Sequence, residues 1–297
     1  MNKLTTLAGS TGLLLSLLAV PTGATDAKPA NDWFKATSVA DGVWVIDDHG
    51  SDNMYLVEGE QKALLVDTGL GVGRLSDFVK TLTQLPVIVV NTHGHPDHSG
   101  GNYQFPVVFA HPRDFEAIAA FSSAEARKRT IGQMTKGASA SGLVTAEEAA
   151  RMPTAKLEPV KEGDVFDLGG RKLEVIEQPG HTPGEIVLLD AAHRLVFGGD
   201  NNNSLVWLFL DNSRPLTVYL ESLKKLKARG DAFDTILPGH GPPLPKAHLV
   251  DQIACVESIL DGSCKSEPYK SFVGDARLCR HGSASVAFNP DNLRAKD

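Results

Sequence analysis

The sequence predicts an α/β protein built as two similar halves, and three observations carry that expectation. Short apolar runs of strand type alternate with segments whose apolar residues recur at helical spacing. The order strand, turn, strand, terminal aspartate occurs twice, from Asn53 to Asp67 and again from Glu185 to Asp200. With 297 residues, 42% of them hydrophobic, the chain can bury one large core, and no linker or solenoid repeat divides it.

Residues 1–24 read as a secretory signal peptide. Lys3 supplies the charged start, Leu13 to Val20 the apolar stretch, and Thr22-Gly23-Ala24 a small-residue cleavage site. Cleavage after Ala27 also fits, and a buried N-terminal helix is the alternative. The apolar stretch is too short to span a bilayer as a helix, and no cysteine follows it to carry a lipid. The expected location is therefore periplasmic or secreted, without stable membrane association. Removing Lys3, the one charged side chain of the leader, takes the formal charge from −7 to −8. That acidity, with no basic stripe, argues against nucleic acid as a partner and for a small-molecule substrate.

Residues 28–42 read as a flexible lead-in to a domain covering 28–262. Strands follow at 43–46, 53–57 and 63–66, the last ending at Asp67. Leu75, Phe78, Val79 and Leu82 mark an amphipathic helix that returns the chain to a strand at 87–90. A strand at 107–110 leads to a helix opening at Pro112, with Phe115, Ile118 and Ala119 toward the core. Residues 121–155 interrupt the alternation. Ser122 with Glu125, and Thr145 with Glu148, both fit the capping pattern S/T-x-x-E, so two helix starts are expected around a mobile small-residue loop at 136–142. This helical insertion reads either as a lid over the site or as a surface or dimer-contact excursion.

The second half starts with a hairpin, strands at 165–168 and 172–176 flanking Gly169-Gly170-Arg171. Strands at 185–189 and 194–197 end in Gly198-Gly199-Asp200. Leu216, Tyr219, Leu220, Leu223 and Leu226 form a helix stopped at Gly230, and Lys224, Lys225 and Lys227 suit its C-terminal end. A strand at 235–237 and a closing helix through Leu249, Val250, Ile253, Val256 and Leu260 complete the domain. Residues 263–297 show no chemical motif and read as a C-terminal tail. In an oxidising compartment three cysteines make one disulfide and leave one thiol. Cys264 and Cys279 lie beyond the closing helix and Cys255 within it, so Cys264–Cys279 is the expected pair.

The chemistry concentrates in Thr92-His93-Gly94-His95-Pro96-Asp97-His98-Ser99-Gly100-Gly101, at the end of the 87–90 strand. His93, His95 and Asp97 alternate along the backbone while His98 points elsewhere, so one loop can serve two neighbouring metal positions. Imidazole and carboxylate without thiolate suit zinc, iron or manganese. Further metal-capable residues stand after strands in Gly180-His181-Thr182-Pro183-Gly184, Gly199-Asp200 and Pro238-Gly239-His240-Gly241, although Pro-Gly-His alone is also a turn sequence.

These four motifs in this order resemble those of the metallo-β-lactamase-fold hydrolases, over roughly residues 40–260. The resemblance implies a four-layer αβ/βα sandwich. It implies one metal on His93, His95 and His181, a second on Asp97, His98 and His240, and Asp200 bridging them, the seven-ligand set of glyoxalase II-like members. Two Zn2+ ions are the first choice, with iron or manganese as alternatives. The reaction implied is hydrolysis of an ester, lactone or thioester through a metal-bridging hydroxide, which Asp97 would orient. Asp67 reads either as a hydrogen-bond partner of a ligand imidazole or as a turn former before Thr68-Gly69. Trp207, Leu208, Phe209 and Leu210 read either as an apolar substrate pocket or as core. True β-lactamases of the family usually lack the bridging aspartate, so β-lactam hydrolysis is the second choice. A metal-bearing protein that binds without turnover is the third, disfavoured because none of the seven ligands is missing.

Overall fold

The structure is a computed structural model that describes residues 32–136 and 142–295. The leader expected at 1–24, and most of the small-residue loop, lie outside the described residues.

The first half is a seven-stranded sheet in sequential order: β1 (Phe34–Ala40), β2 (Val43–Asp48), β3 (Asn53–Glu58), β4 (Ala63–Val66), β5 (Val87–Val90), β6 (Val107–Ala110) and β7 (Lys156–Pro159). The first four strands pair antiparallel and the last four parallel. Helices α1 (Leu75–Leu82) and α2 (Pro96–Ser99) flank β5, while α3 (Phe115–Ser122), α4 (Ala124–Met134) and α5 (Ala146–Arg151) lie between β6 and β7. The second half carries β8 (Val165–Asp167), β9 (Lys172–Glu177), β10 (Ile186–Asp190), β11 (Leu195–Gly199), β12 (Leu205–Leu208), α6 (Leu216–Lys227), β13 (Thr235–Pro238), β14 (Leu244–Pro245) and α7 (His248–Leu260). Six of these strands form a sheet in the order β14-β13-β11-β10-β9-β8.

The two sheets face each other. Val43, Tyr55, Val57, Leu64 and Val66 of the first meet Leu173, Val175, Ile186, Leu188 and Phe197 of the second. The outer face of the first sheet, with Ile46, Leu56, Leu65 and Val89, packs on Leu75 and Val79 of α1. The outer face of the second, with Ile176, Val187, Leu189 and Val196, packs on α6 and α7. This is the expected αβ/βα layering. Strands β4 and β10 are buried at every position, as strands covered on both faces must be, and their unbroken apolar runs follow from that.

Five details differ from the sequence reading. Val250 of α7 is exposed, because the face that packs on the second sheet is formed by Leu249, Ile253 and Val256. Residues 34–40 lie in the expected flexible lead-in but form β1, because residues 34–38 pair one by one with 44–48 of β2 and Phe34 and Ala36 pack into the core. The cap of α4 is Ser123, whose hydroxyl accepts from Ala126 N at 3.1 Å; Ser122 ends α3 and donates to Ile118 O. Ala119 is exposed, leaving Ile118 as the buried side chain of α3. Residues 263–297, read as a tail, contain β15 (Glu267–Lys270), β16 (Asp275–His281) and β17 (Ala284–Phe288), which join β12 in a third sheet of order β12-β17-β16-β15. Thr145 caps α5 as expected, accepting from Glu148 N. The insertion packs beside the ligand loop through Tyr103, Ile131, Val144 and Ala149, and Arg74 pairs with Glu148.

Candidate metal centre

The chain leaves β5 at Val90 and delivers Thr92 to His95 at the strand end, after which Pro96 opens α2 and turns Asp97 and His98 inward. The loop after β9 supplies His181, the end of β11 supplies Asp200, and the end of β13 supplies His240. The structure brings all seven together. Ligand atoms of His93, His95 and His181 lie within 4.8 Å of one another, as do those of His93, His98 and Asp200, and those of Asp97, His98 and His240. Asp200 stands between the groups: its Oδ2 is 3.4 Å from His181 Nε2 and 3.3 Å from His240 Nε2, and its Oδ1 is 3.3 Å from His98 Nε2.

The hydrogen bonds on the far sides of the rings decide which nitrogens are free. His181 Nδ1 lies 2.7 Å from Trp207 O and His240 Nδ1 lies 2.8 Å from Ser51 O. A carbonyl only accepts, so both Nδ1 atoms carry the proton and both Nε2 lone pairs point into the cluster. His98 Nδ1 is fixed in the same way on Asp67 Oδ2 at 3.0 Å. His98 Nε2 then faces His240 Nε2 at 3.3 Å, and His181 Nε2 faces His95 Nδ1 at 2.8 Å. Converging lone pairs and carboxylates repel unless a cation lies among them. The buried His93 Nε2 and Asp200 Oδ1 have no hydrogen-bond partner among the described residues, which is the signature of donors shaped for a metal. Carboxylate and carbonyl partners behind the imidazoles complete the pattern.

Charge is shared unevenly across the cluster. Burial, then neighbouring His98, holds His93 well below the usual imidazole value, and burial with His181 brings His95 to about 4. Burial opposes ionisation of Asp97, yet His98 and His240 draw its carboxyl down to about 2. Burial likewise opposes charge on His240, and Asp200 with Asp97 outweighs it, raising the ring to about 10. The acidic side of the cluster therefore attracts positive charge most strongly around His98 and His240.

Asp67 has a left-handed backbone, φ 64°, which aims its carboxylate at Thr92 N (2.7 Å), Thr92 Oγ1 (2.8 Å) and His98 Nδ1. It touches a candidate ligand and also terminates a strand, so the two readings of this residue are not exclusive. Several buried residues that shape the centre carry no motif. Asp114 Oδ2 accepts from Gly94 N (2.9 Å) and Thr182 Oγ1 (2.6 Å), and its Oδ1 accepts from Gly184 N (2.7 Å), tying the His93–His95 loop to the His181 loop. Asn201 and Asn203 accept from the backbone N–H of His181 and His240. Asn201, Asn202 and Asn203 are all buried, so each of these amides needs partners, a demand that only the folded chain reveals. Glu185 Oε1 accepts from Asn201 N at 2.7 Å. A Cβ at Gly239 would collide with Asp200 Oδ1, which is why glycine precedes His240. Asn212 Oδ1 lies 3.4 Å from His95 Nε2.

Trp207 and Phe209 do not lie in the core. In β12 the buried residues are Val206 and Leu208, and Trp207 shares the opposite, half-buried face. The sequence offers five histidines outside the motifs, which read as surface residues; His49, His193 and His281 are exposed, but His248 and His111 are buried and hydrogen-bonded.

Comparison with known proteins adds four findings. A sequence profile of the Metallo-beta-lactamase superfamily matches residues 47–240. The chain is 30% identical over 228 residues to the acyl-coenzyme A thioesterase MBLAC2 of Gallus gallus, covering 71% of this chain and 82% of that protein. It is 27% identical over 143 residues to the hydroxyacylglutathione hydrolase GloC of Haemophilus influenzae, covering 48% of this chain and 62% of that one. Among solved structures, a metallo-beta-lactamase from Pontibacter korlensis superposes with a TM-score of 0.54 at 20% identity, over 74% of this chain and 97% of that one.

Proposed function

Because this chain belongs to the Metallo-beta-lactamase superfamily, we propose that it is an exported hydrolase that holds two zinc ions and cleaves a thioester, with esters and lactones as secondary substrates. The position of the Asp200 carboxylate carries the reading, because its Oδ2 reaches His181 on one side and His240 on the other. Two ions sharing one anionic ligand fit that position, and the absence of thiolate leaves iron or manganese as alternatives to zinc. Thioesters come first among the candidate carbonyls because the thioesterase and the hydroxyacylglutathione hydrolase above both carry thioester hydrolysis in their names. Export rests on the signal-like leader and is supported by the bond between Cys264 and Cys279, which suits an oxidising compartment.

When bound, a zinc pair supplies Lewis acidity and brings the pKa of water from about 15.7 to near 7. The chain's own part is positional. Asp67, Trp207 and Ser51 hold the rings of His98, His181 and His240 in the orientation that leaves Nε2 free. Asp97, kept ionised by His98 and His240, would orient the attacking water through a carboxylate oxygen. Sulfur is a good leaving group, so the chain needs no strong acid for the departing thiolate.

The test is elemental analysis of the purified protein with a chromogenic panel of thioesters, esters, lactones, cephalosporins and phosphodiesters. Close to two ions per chain and highest kcat/KM for a thioester are expected. At most one ion under metal-replete conditions would remove the dinuclear reading. A higher kcat/KM for cephalosporins or carbapenems than for every ester, thioester and lactone would make the protein a β-lactamase, and turnover confined to phosphodiesters would overturn both.

A further inference from the structure

The third sheet has two unlike faces. Val206, Leu208, Cys279, Val286 and Phe288 belong to the core with α6 and α7. The strand register places Trp207 opposite Ala287, Ala287 opposite Leu278, and Ala276 opposite Tyr269, and paired residues share a face. On the second face, therefore, Trp207 and Phe209 stand at one flank, Tyr269 stands at the other, and only Ala276, Leu278 and Ala287 lie between. Long side chains around short ones make a shallow apolar shelf. The rings are in mutual contact: Trp207 lies 5.3 Å from Phe209 and 6.3 Å from Tyr269, and Phe209 lies 6.1 Å from Tyr269. Trp207 Nε1 donates to Tyr269 Oη at 3.0 Å, so no indole N–H is left to repel an apolar ligand.

Phe272, in the hairpin between β15 and β16, is 91% exposed, yet its ring stands 5.7 Å from Trp207. A free-standing phenylalanine at the rim of an aromatic cluster is a feature that a ligand would cover. The shelf is continuous with the metal centre. The carbonyl of Trp207 is the one that holds His181, and the same stretch runs through Phe209 to Asn212, beside His95. A carbonyl placed among the seven ligands can therefore send its substituent across β12. The charged groups on this face of the sheet, Glu267 and Arg280, pair with each other, so the surface favours an uncharged chain.

Resting on the thioester reading above, we propose that this shelf binds the acyl chain of the substrate, and that Trp207, Phe209, Tyr269 and Phe272 set a preference for a long apolar acyl group over a short one. Tyr269 and Phe272, which lie outside the matched span 47–240, would then add specificity to a site whose chemistry lies elsewhere.

The experiment compares acetyl, hexanoyl and decanoyl thioesters of one thiol on the zinc-loaded protein. The expected kcat/KM rises about twofold for each methylene seated on the shelf, as half-burial of a methylene implies. Phe272→Ala and Tyr269→Ala should lower the decanoyl-to-acetyl ratio of kcat/KM about tenfold, mainly through KM; Phe272, being exposed, puts folding at no risk. A second readout needs no turnover: decanoate titrated into metal-stripped protein should change the tryptophan fluorescence, and Trp207→Phe, which keeps the carbonyl on His181, should abolish that change. Active enzyme with a flat chain-length profile, or an unchanged ratio in Phe272→Ala, overturns the shelf and leaves the thioester reading standing. If no thioester of any length is turned over, that reading falls, and the fluorescence titration alone decides whether the shelf binds an apolar chain. A dimer in sedimentation that Phe272→Ala dissociates would assign the face to a second copy of the chain and overturn the proposal.

Discussion

Asp114 hydrogen-bonds to three groups in two ligand loops, and that makes it the residue whose loss should spread furthest. Removing its carboxylate leaves Gly94 N and Gly184 N buried without acceptors and lets the His93–His95 and His181 loops move independently. Asp114→Ala is expected to weaken metal retention about 10- to 100-fold, the usual cost of losing a partner behind the ligands, measured by competition with a chromophoric chelator. Asp114→Asn, which keeps one acceptor oxygen, should fall between it and the wild type. His248 gives a pH prediction. Burial lowers its imidazole below the ordinary value near 6.5, and the Asn203 carbonyl and Asp251 only partly offset this. The folded state binds this proton less readily than the unfolded chain. Its contribution to stability is complete above that ordinary value and is lost as pH falls below it, by at most about 1.4 kcal/mol per unit. Urea midpoints of the wild type should therefore drop relative to His248→Gln between pH 7.5 and 5.5; parallel profiles would show that His248 titrates alike in both states.

At the scale of elements, the C-terminal sheet is stapled as well as packed. Cys264, just after α7, is joined to Cys279 in β16 with a sequence separation of 15, while burial pushes the thiol of Cys255 up to about 11 and keeps it out of exchange. A closed loop of this length restrains the unfolded chain by about 3 kcal/mol. The double substitution Cys264→Ser with Cys279→Ser should lower unfolding stability by about that much, with the earliest gain in amide exchange in β15 and β16. Equal stability of the two proteins would mean that α7 packing alone fixes this sheet. The helices between β6 and β7 show where local patterns mislead. Two serines in succession offered α4 a cap, and Ser123 took it because Ser122 still belonged to α3.

Across the whole molecule, the candidate ligands divide between the halves: His93, His95, Asp97 and His98 come from the first, and His181, Asp200 and His240 from the second. A metal held between them would add a link between two halves that packing and hydrogen bonds, such as those of Asp114 to Thr182 and Gly184, already join. Chelation should therefore lower the melting temperature, because metal at 100 times its dissociation constant stabilises the folded state by about 2.7 kcal/mol. Restoring zinc should recover the loss, and a melting curve indifferent to chelator would show that the ions contribute nothing to the link.

The alternation of apolar runs determined the two halves, since strands buried on both faces and helices buried on one can be read from spacing alone. The four histidine and aspartate motifs stand at strand ends because a strand places its terminal loop at the rim of the sheet. Spacing along the chain says nothing about which distant groups share a hydrogen bond. Asp114, Asn201 and Asn203 were therefore invisible as parts of the centre, because each serves ligands 20 or more positions away. Residues 263–297 were unreadable for the same reason: short strands with mixed side chains acquire a buried face only when β12, more than fifty residues earlier, pairs with β17. Local chemistry is written in the order of residues, but the partners behind the ligands and the aromatic shelf beside them exist only once the sheets have closed.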